Sequence, residues 1–387
     1  MKPADMTLLE LRHTVRGFVE ADLLPNEPKL GPDGTLDAEV WRGLQDKGRQ
    51  LGLWQYDVPK EYGGQGLNLE ACCVVAEELN KTKAVPFRHN DLFGPKIGPI
   101  LYSLNDKQKD KYLYPVLEGK KKACFAQSEP DAGSDPASLS TAAMRDGNEF
   151  VLTGRKRWIG GAGVSDFAQV VCRTESGDGH SGLSVLLVDM DSPGVELVRT
   201  WPTMMGDSPW EVAFRDVRVP RENLVGSEGE GFRLAQQWLT RNRITNHGAR
   251  SVGIAQRALD MSMDRANARS TFGELLANRQ AVQFMIVDSA MELEGARLMV
   301  YDAARRFDRG EDVRNASYMA KIIATEVGGR VVDRAIQIHG ALGLSTDLPL
   351  EHFYRQMRSI RITEGVTEVL RWRLARNLLR ERAKAND

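Results

Sequence analysis

The hydrophobic period of this chain changes twice along its length, and no other feature constrains its architecture as strongly. Phe150-Val-Leu-Thr153, Phe167 to Arg173, Ser184 to Met190, Val195 to Trp201 and Glu211 to Val219 are short runs rich in β-branched residues. Asp146-Gly147, Ser176-Gly-Asp-Gly179 and Asp191-Ser-Pro-Gly194 supply turns between them, and Pro220 ends the last run. Short strands at that spacing predict an antiparallel barrel or sandwich.

On both sides of this block the repeat is helical. Thr7 and Glu10 form a candidate capping box. Glu70 to Leu79 reads as a helix ended by Asn80, and Lys107 to Leu117 as another with Asn105 as its N-cap. Tyr62-Gly-Gly-Gln-Gly66 is a loop, because three glycines in four positions do not sustain a helix. After Gly231, Val282, Met285, Ile286, Leu293, Ala296 and Val300 recur at helical spacing, and Met319, Ile323, Val327 and Val331 make a similar stripe. Gly328 and Gly329 each cost about 1 kcal/mol inside a helix, and close helix packing is preferred to ligand contact as their reason.

A chain of 387 residues exceeds the size at which one core stops growing, so two or three domains are expected. The order of periods places boundaries near 1–120 for an N-terminal helical domain, 121–228 for a middle β domain and 229–387 for a C-terminal helical bundle. Lys and Arg number 52 against 53 Asp and Glu, which argues against nucleic acid or an anionic membrane as main partner. Arg12, Arg16, Glu10 and Glu20 interrupt the N-terminal apolar residues, so Met1 to Leu24 reads as an ordinary helix. Cys72, Cys73, Cys124 and Cys172 lack metal-ligand spacing, and no metal site is expected; reduced thiols fit a cytoplasmic protein.

Three segments stand out chemically. Cys124-Phe-Ala-Gln-Ser-Glu-Pro-Asp-Ala-Gly-Ser-Asp135 is equally a polar loop or a cradle for a heteroatom-rich ring or phosphate. In Lys156-Arg-Trp-Ile-Gly-Gly-Ala-Gly163, Trp158 is either a core aromatic or, with its glycines, a wall for a bound ring. In Arg358-Ser-Ile-Arg-Ile-Thr-Glu-Gly-Val-Thr-Glu368, Glu364 lies among Ile360, Ile362 and Val366. A carboxylate in apolar surroundings has a raised pKa and serves as a base, although a lone glutamate is more often solvated or paired, here with Arg361.

Taken together, these segments resemble the acyl-CoA dehydrogenase family along almost the whole chain. The first is similar to its Thr/Ser-Glu-Pro…Ala-Gly-Ser-Asp loop and the second to its Trp-Ile-Thr/Ser loop. Arg269-Ser-Thr-Phe-Gly273 with Gln280, Gln337-Ile-His-Gly-Ala-Leu-Gly343 and Thr363-Glu-Gly365 resemble three further motifs in the same order. The resemblance implies a mostly α chain with a central antiparallel, barrel-like β domain and a C-terminal four-helix bundle. It implies FAD between the β domain and the bundle, and assembly as a homo-oligomer, dimer or tetramer, with itself or a related chain. Phe125, Ala126, Ser128, Gly133, Ser134, Trp158, Ile159 and Gly160 would serve the flavin half. Arg269, Thr271, Phe272, Gln280, Gln337 and Gly340 would grip the ADP half, partly from a neighbouring subunit, and Thr367 is a further cofactor residue. Ser134 and Gly365 would also touch the acyl-CoA.

By the same resemblance Glu364 removes the α-proton of an acyl-CoA while flavin N5 accepts the β-hydride, giving a trans-2-enoyl-CoA; an electron-transferring flavoprotein is the implied electron acceptor. Some relatives carry the base on the helix after the β domain, but Leu239 to Gly248 here holds no carboxylate. The chain departs from the family pattern at Gly160, Ala341, Thr363, Val366, His352 and Gln356, which suggests a divergent branch acting on unusual acyl groups. Arg88, in Ala84 to Gly94, is a candidate for a tail carboxylate, with an exposed arginine the commoner outcome. Two other readings stay open: the same scaffold running an oxidase, monooxygenase or desulfinase reaction, and an inactive subunit supporting a catalytic partner.

Overall fold

The structure is a computed structural model and describes residues 3–31, 33–86, 90–174, 179 and 181–384; Arg88 and most of the Ser176–Gly179 turn lie outside the described residues. Helix α1 (Leu8–Phe18) begins with the expected capping box, in which the Glu10 N–H donates to Thr7 Oγ1 at 3.2 Å and the Thr7 N–H to Glu10 Oε2 at 2.8 Å. Asp37 caps α2 (Ala38–Gln50), and Asn68 caps α3 (Leu69–Leu79), where every residue but Glu70 is buried. The glycine loop before α3 is required by space: a Cβ on Gly64 would stand 2.2 Å from the Val58 carbonyl oxygen.

Short helices α4 (Pro99–Tyr102), α5 (Asp106–Gln108) and α6 (Tyr114–Leu117) follow, and Asn105 makes a capping box with Gln108 at the start of α5. The strands are β1 (Ala123–Ala126), β2 (Ala142–Asp146), β3 (Glu149–Ile159), β4 (Phe167–Arg173), β5 (Leu183–Asp189), β6 (Val195–Thr200) and β7 (Trp210–Pro220). The remaining elements are α7 (Gly231–Asn242), α8 (Arg250–Ala268), a small hairpin of β8 (Ser270–Thr271) and β9 (Glu274–Leu275), α9 (Gln280–Asp308), α10 (Arg314–His339), α11 (Leu350–Ile360) and α12 (Thr367–Lys384).

The chain divides into two compact units, Met1–Phe87 with Thr240–Asp387, and Arg88–Leu239. In the second unit the sheet order is β1-β4-β2-β3-β7-β6, with β5 on the other edge of β4. The pairing is mostly antiparallel, as the strand spacing predicts, but β1 runs parallel to β4. β1 and β2 are four and five residues long, too short for their alternation to announce them in the sequence. β3 runs on to Ile159, well beyond Thr153, with register shifts after Leu152 and Lys156. Phe150, Leu152, Val170, Leu186, Phe214 and Val217 fill the core against this sheet.

Inside that unit Lys156 is fully buried and donates to Glu129 Oε1 and the Gln127 carbonyl, both at 2.8 Å. Glu129 also accepts from the Ser140 N–H, the Ser140 hydroxyl and the Thr141 N–H. Burial pushes the Glu129 carboxyl up, but the Lys156 charge and these hydrogen bonds outweigh it and hold the carboxyl at about 2. This pair pins both ends of the polar loop between β1 and β2.

In the first unit the N-terminal helices pack with the C-terminal ones. A Cβ on Gly253 of α8 would stand 2.0 Å from the Glu77 carbonyl of α3, so these helices touch backbone to side. Buried Glu77 and Glu78 join α1, α3 and α9: Arg12 donates to Glu78 at 2.7 Å, Tyr301 to Glu77 at 2.6 Å and Arg297 to Glu77 at 3.2 Å. Gly328 answers to packing, since a Cβ there would be 2.4 Å from Met357 Cε, whereas Gly329 has open space beside it. On α9, Val282, Leu293, Ala296 and Val300 are buried as their spacing predicts.

Candidate active site

Glu364 stands in the turn between α11 and α12 with φ at 55°, a left-handed backbone that costs a non-glycine residue about 1–2 kcal/mol. The turn is tied down from several sides. Thr363 and Ile362 N–H groups donate to the Ser359 carbonyl, and the Thr367 N–H to that of Arg361. Arg243 Nε donates to the Glu364 carbonyl at 2.9 Å, and the buried Lys321 Nζ donates to the carbonyls of Arg361 and Gly365, both at 2.8 Å. Gly365, at φ 105°, gives the chain its second unusual turn angle.

The surroundings of the Glu364 carboxylate correct the expectation drawn from its sequence neighbours. Its side chain is 24% exposed, and Ile362 points outward at 52% exposed. The groups that meet the carboxylate are polar and come from elsewhere in the chain: Asn242 Nδ2 donates to Oε1 at 3.1 Å, and His247 Nδ1 lies 3.5 Å from Oε2. In a turn, flanking residues point in different directions, so local hydropathy does not describe the pocket of the middle one.

Asn242 and His247 reach Glu364 because the chain makes a π-helical stretch at Arg243–Ala249, between α7 and α8. In an α-helix residues five apart point about 140° away from each other; the wider π-turn brings them to one side. Sequence reasoning noted that this stretch lacks a carboxylate and missed its contact with Glu364, since a π-turn leaves no mark in hydrophobic periodicity. His247 is buried, and burial, together with the charges of Lys321, Arg250 and Arg243, pushes its pKa well below the usual histidine value. Burial and Arg243 likewise lower Lys321, to about 7. Arg243 itself is buried over the Tyr318 ring.

The other candidates fall into three groups. At one end of the bundle Ala266, Val282 and Ile338 pack together, which brings the ends of α8 and α10 to the start of α9. Around that cluster lie Arg269, Gln280, Gln337 and Gly340, all exposed, and Thr271, half-buried, whose carbonyl accepts from Arg279. Phe272 forms the hairpin tip at φ 51° and is 98% exposed. Thr367 is buried and donates to Glu368.

In the β unit, the Arg157 N–H donates to the Ser128 carbonyl at 2.8 Å, which sets Ser128 beside Trp158. Trp158 is half-exposed at φ 68° and leans on Trp201 at 5.3 Å. Ala126 and Ile159 point into the β core, so any contact they make with a ligand goes through backbone. Gly133 and Ser134 are exposed and Gly160 half-buried. Phe125 stacks on Trp238, 5.4 Å between centroids and 13° between planes, a partner that sequence reasoning did not identify. Two departures from the family pattern prove to be partners of each other: Gln356 Nε2 meets His352 Nε2 at 2.7 Å, and burial lowers that histidine to about 4.

Family models described as the acyl-CoA dehydrogenase N-terminal, middle and C-terminal domains match residues 6–120, 124–217 and 229–379. The chain belongs to the acyl-CoA dehydrogenase family. It is a flavin-dependent oxidoreductase with FAD as cofactor. It is 35% identical over 376 residues to the mitochondrial short-chain specific acyl-CoA dehydrogenase of Rattus norvegicus, covering 96% of this chain and 89% of that one. It is 33% identical to CarC, a subunit of the caffeyl-CoA reductase–Etf complex of Acetobacterium woodii, covering 96% and 98%. Butyryl-CoA dehydrogenase from Megasphaera elsdenii has the same fold, with a TM-score of 0.85, 28% identity, and coverage of 97% of this chain and 99% of that one.

Proposed function

We propose that this protein oxidises an acyl-CoA thioester at Cα–Cβ to the trans-2-enoyl-CoA, with Glu364 removing the α-proton. The observation that carries the reading is the Glu364 turn: a carboxylate on a strained backbone, fixed by Arg243 and Lys321, with its oxygens beside Asn242 and His247. Strain of that kind persists only where the surroundings hold it, and it gathers at functional sites.

The chain's residues fit the cofactor. Gln127 Oε1 is buried with no hydrogen-bond partner among the described residues, an acceptor that a bound ring N–H would satisfy. Arg269, and the start of α9, which has no side-chain cap, offer positive charge and free N–H groups for a pyrophosphate. An aromatic ring as exposed as Phe272 suits a base or ribose held at the surface. We assign Phe125, Ala126, Ser128, Gly133, Ser134, Trp158, Ile159 and Gly160 to the flavin half, and Arg269, Thr271, Phe272, Gln280, Gln337, Gly340 and Thr367 to the remainder. Ser134 and the Gly365 backbone serve the substrate.

Bound FAD supplies the acceptor for the β-hydride. A thioester α-proton is weakly acidic, so the protein must place its base accurately and keep water away from it. Asn242 donates to one carboxylate oxygen and the His247 ring borders the other, while the clamps on the Arg361, Glu364 and Gly365 carbonyls hold the turn. The Glu364 backbone N–H, with Gly365 giving the chain room beside it, is suited to polarise the thioester carbonyl.

Domain divisions at 1–120, 121–228 and 229–387 are proposed on the change of period, with family matches over 6–120, 124–217 and 229–379 as support. An electron-transferring flavoprotein is the proposed acceptor, supported by the Etf complex named for CarC. A homo-oligomer is proposed because Phe284, Val287, Met291 and Leu298 form an exposed apolar stripe on α9. The four cysteines are buried and form no disulfide among the described residues, in keeping with a cytoplasmic site of action, and no helix among the described residues is long and apolar enough to cross a membrane. Anaerobic titration of the purified yellow protein with acyl-CoAs of varied length and branching tests the reading. Bleaching by at least one supports it; a flavin that none of them reduces overturns it.

A further inference from the structure

We propose that His247 is a positioning residue for the base: as a neutral imidazole bonded through Nδ1–H to the Asn242 carbonyl, it turns that N–H edge toward Glu364 Oε2 at 3.5 Å and so sets, with Asn242, which way the carboxylate faces. This rests on the reading of Glu364 as the base.

The argument is one of donors and acceptors. Nδ1 faces the Glu364 carboxylate at 3.5 Å and the Asn242 carbonyl at 3.4 Å, both acceptors only. Nε2 faces Thr363 Oγ1 at 2.9 Å, a hydroxyl able to donate. One neutral tautomer satisfies both sides, with the proton on Nδ1 and the Nε2 lone pair accepting from Thr363. The opposite tautomer would set a lone pair against a carboxylate. A doubly protonated ring is disfavoured by burial and by the charges of Lys321, Arg250 and Arg243. His247 is therefore a fixed dipole, not a proton shuttle.

Asn242 is oriented in the same way. Its Oδ1 accepts from Asn246 Nδ2 at 2.8 Å, which turns Nδ2 toward Glu364 Oε1 at 3.1 Å. Oε1 thus has Asn242 as its donor, while Oε2 is bordered by the His247 N–H edge at 3.5 Å. Thr363 gives His247 the hydroxyl that selects its tautomer, so Thr363 and the π-helical His247 form one device.

Two substitutions separate the contacts. The amide nitrogen of His247→Asn falls near the place of Nδ1, and that of His247→Gln near Nε2. With the acyl-CoA that bleaches the wild-type flavin fastest, His247→Gln is expected to slow anaerobic flavin reduction about 10- to 100-fold with little change in KM. His247→Asn is expected to recover most of that loss, with equal FAD content in all three proteins. Equal losses in both variants, or a loss confined to His247→Asn, would overturn the proposal. A tautomer measurement stands independent of turnover: ¹⁵N-histidine NMR of the protein is expected to show a neutral, Nδ1-protonated ring for His247 whose shifts move in Glu364→Gln. An Nε2-protonated ring overturns the proposal even in an active enzyme. A wild type that no acyl-CoA reduces counts against the dehydrogenase reading and leaves the NMR result to decide this one.

Discussion

Lys321 Nζ and the carbonyl oxygen of Gly365 are 2.8 Å apart, so a lysine with no exposed surface holds the residue next to the proposed base, Glu364. Even without its extra proton the amine keeps two N–H groups for its two carbonyls. Burial is the main reason its pKa falls, and Arg243 adds to the effect, bringing it to about 7.

Replacing Lys321 with Met takes the side-chain donor from the Gly365 carbonyl, at about 1–3 kcal/mol, and one of two donors from the Arg361 carbonyl, which keeps the Thr367 N–H. Stability measured by urea midpoint is expected to fall accordingly. The pH dependence has a definite sign. Between about 7 and the ordinary lysine value of 10.5 the unfolded chain holds this proton and the folded one does not. Lys321 therefore makes stability rise with pH across that window, by up to about 1.4 kcal/mol per unit. Lys321→Met is expected to lose this slope.

The Lys156–Glu129 pair gives the opposite dependence. Its carboxyl is at about 2 when folded, against an ordinary 4.5, so its contribution is whole above the ordinary value and disappears as pH falls toward 2. The linkage amounts to about 3 kcal/mol. Glu129→Gln is expected to lower the urea midpoint at neutral pH, and the difference from wild type is expected to close in acid.

Gly98 makes room for the indole that stacks on Phe125. A Cβ there would stand 1.5 Å from Trp238 Cζ3. Gly98→Ala is expected to displace the stack and cost about 1–3 kcal/mol by overpacking, read as a lower Tm and altered tryptophan fluorescence.

Phe272 touches little of its own chain, so its removal separates binding from folding. Phe272→Ala is expected to leave the apoprotein Tm unchanged and to weaken FAD retention on dilution. Equal FAD affinity in the two proteins would remove Phe272 from the cofactor assignment.

Much of this architecture is legible in the sequence because it depends on local periodicity and short-range chemistry. The capping box at Thr7, the N-cap at Asn105 and strands β4 to β7 follow from residues within a few positions of one another. Four- and five-residue strands such as β1 and β2 carry too few alternations, and the parallel pairing of β1 with β4 depends on residues over 40 positions apart. Glu364 could be picked out by its motif, but its neighbours could not. Asn242 and His247 lie more than 110 positions away and reach it through a π-turn, and Lys321 reaches its turn from the middle of another helix. The pairing of His352 with Gln356 was within helical reach, yet nothing in the pattern marked Gln356 as buried or His352 as half-buried.

Rapid mixing under anaerobic conditions tests the central claim most directly. Wild type and Glu364→Gln, both carrying FAD, are mixed with the best acyl-CoA of the panel while the visible flavin absorbance is followed. The account predicts prompt bleaching in the wild type and a rate lower by about 10²–10⁴-fold in the variant, at equal FAD content. Bleaching of Glu364→Gln at the wild-type rate would contradict it.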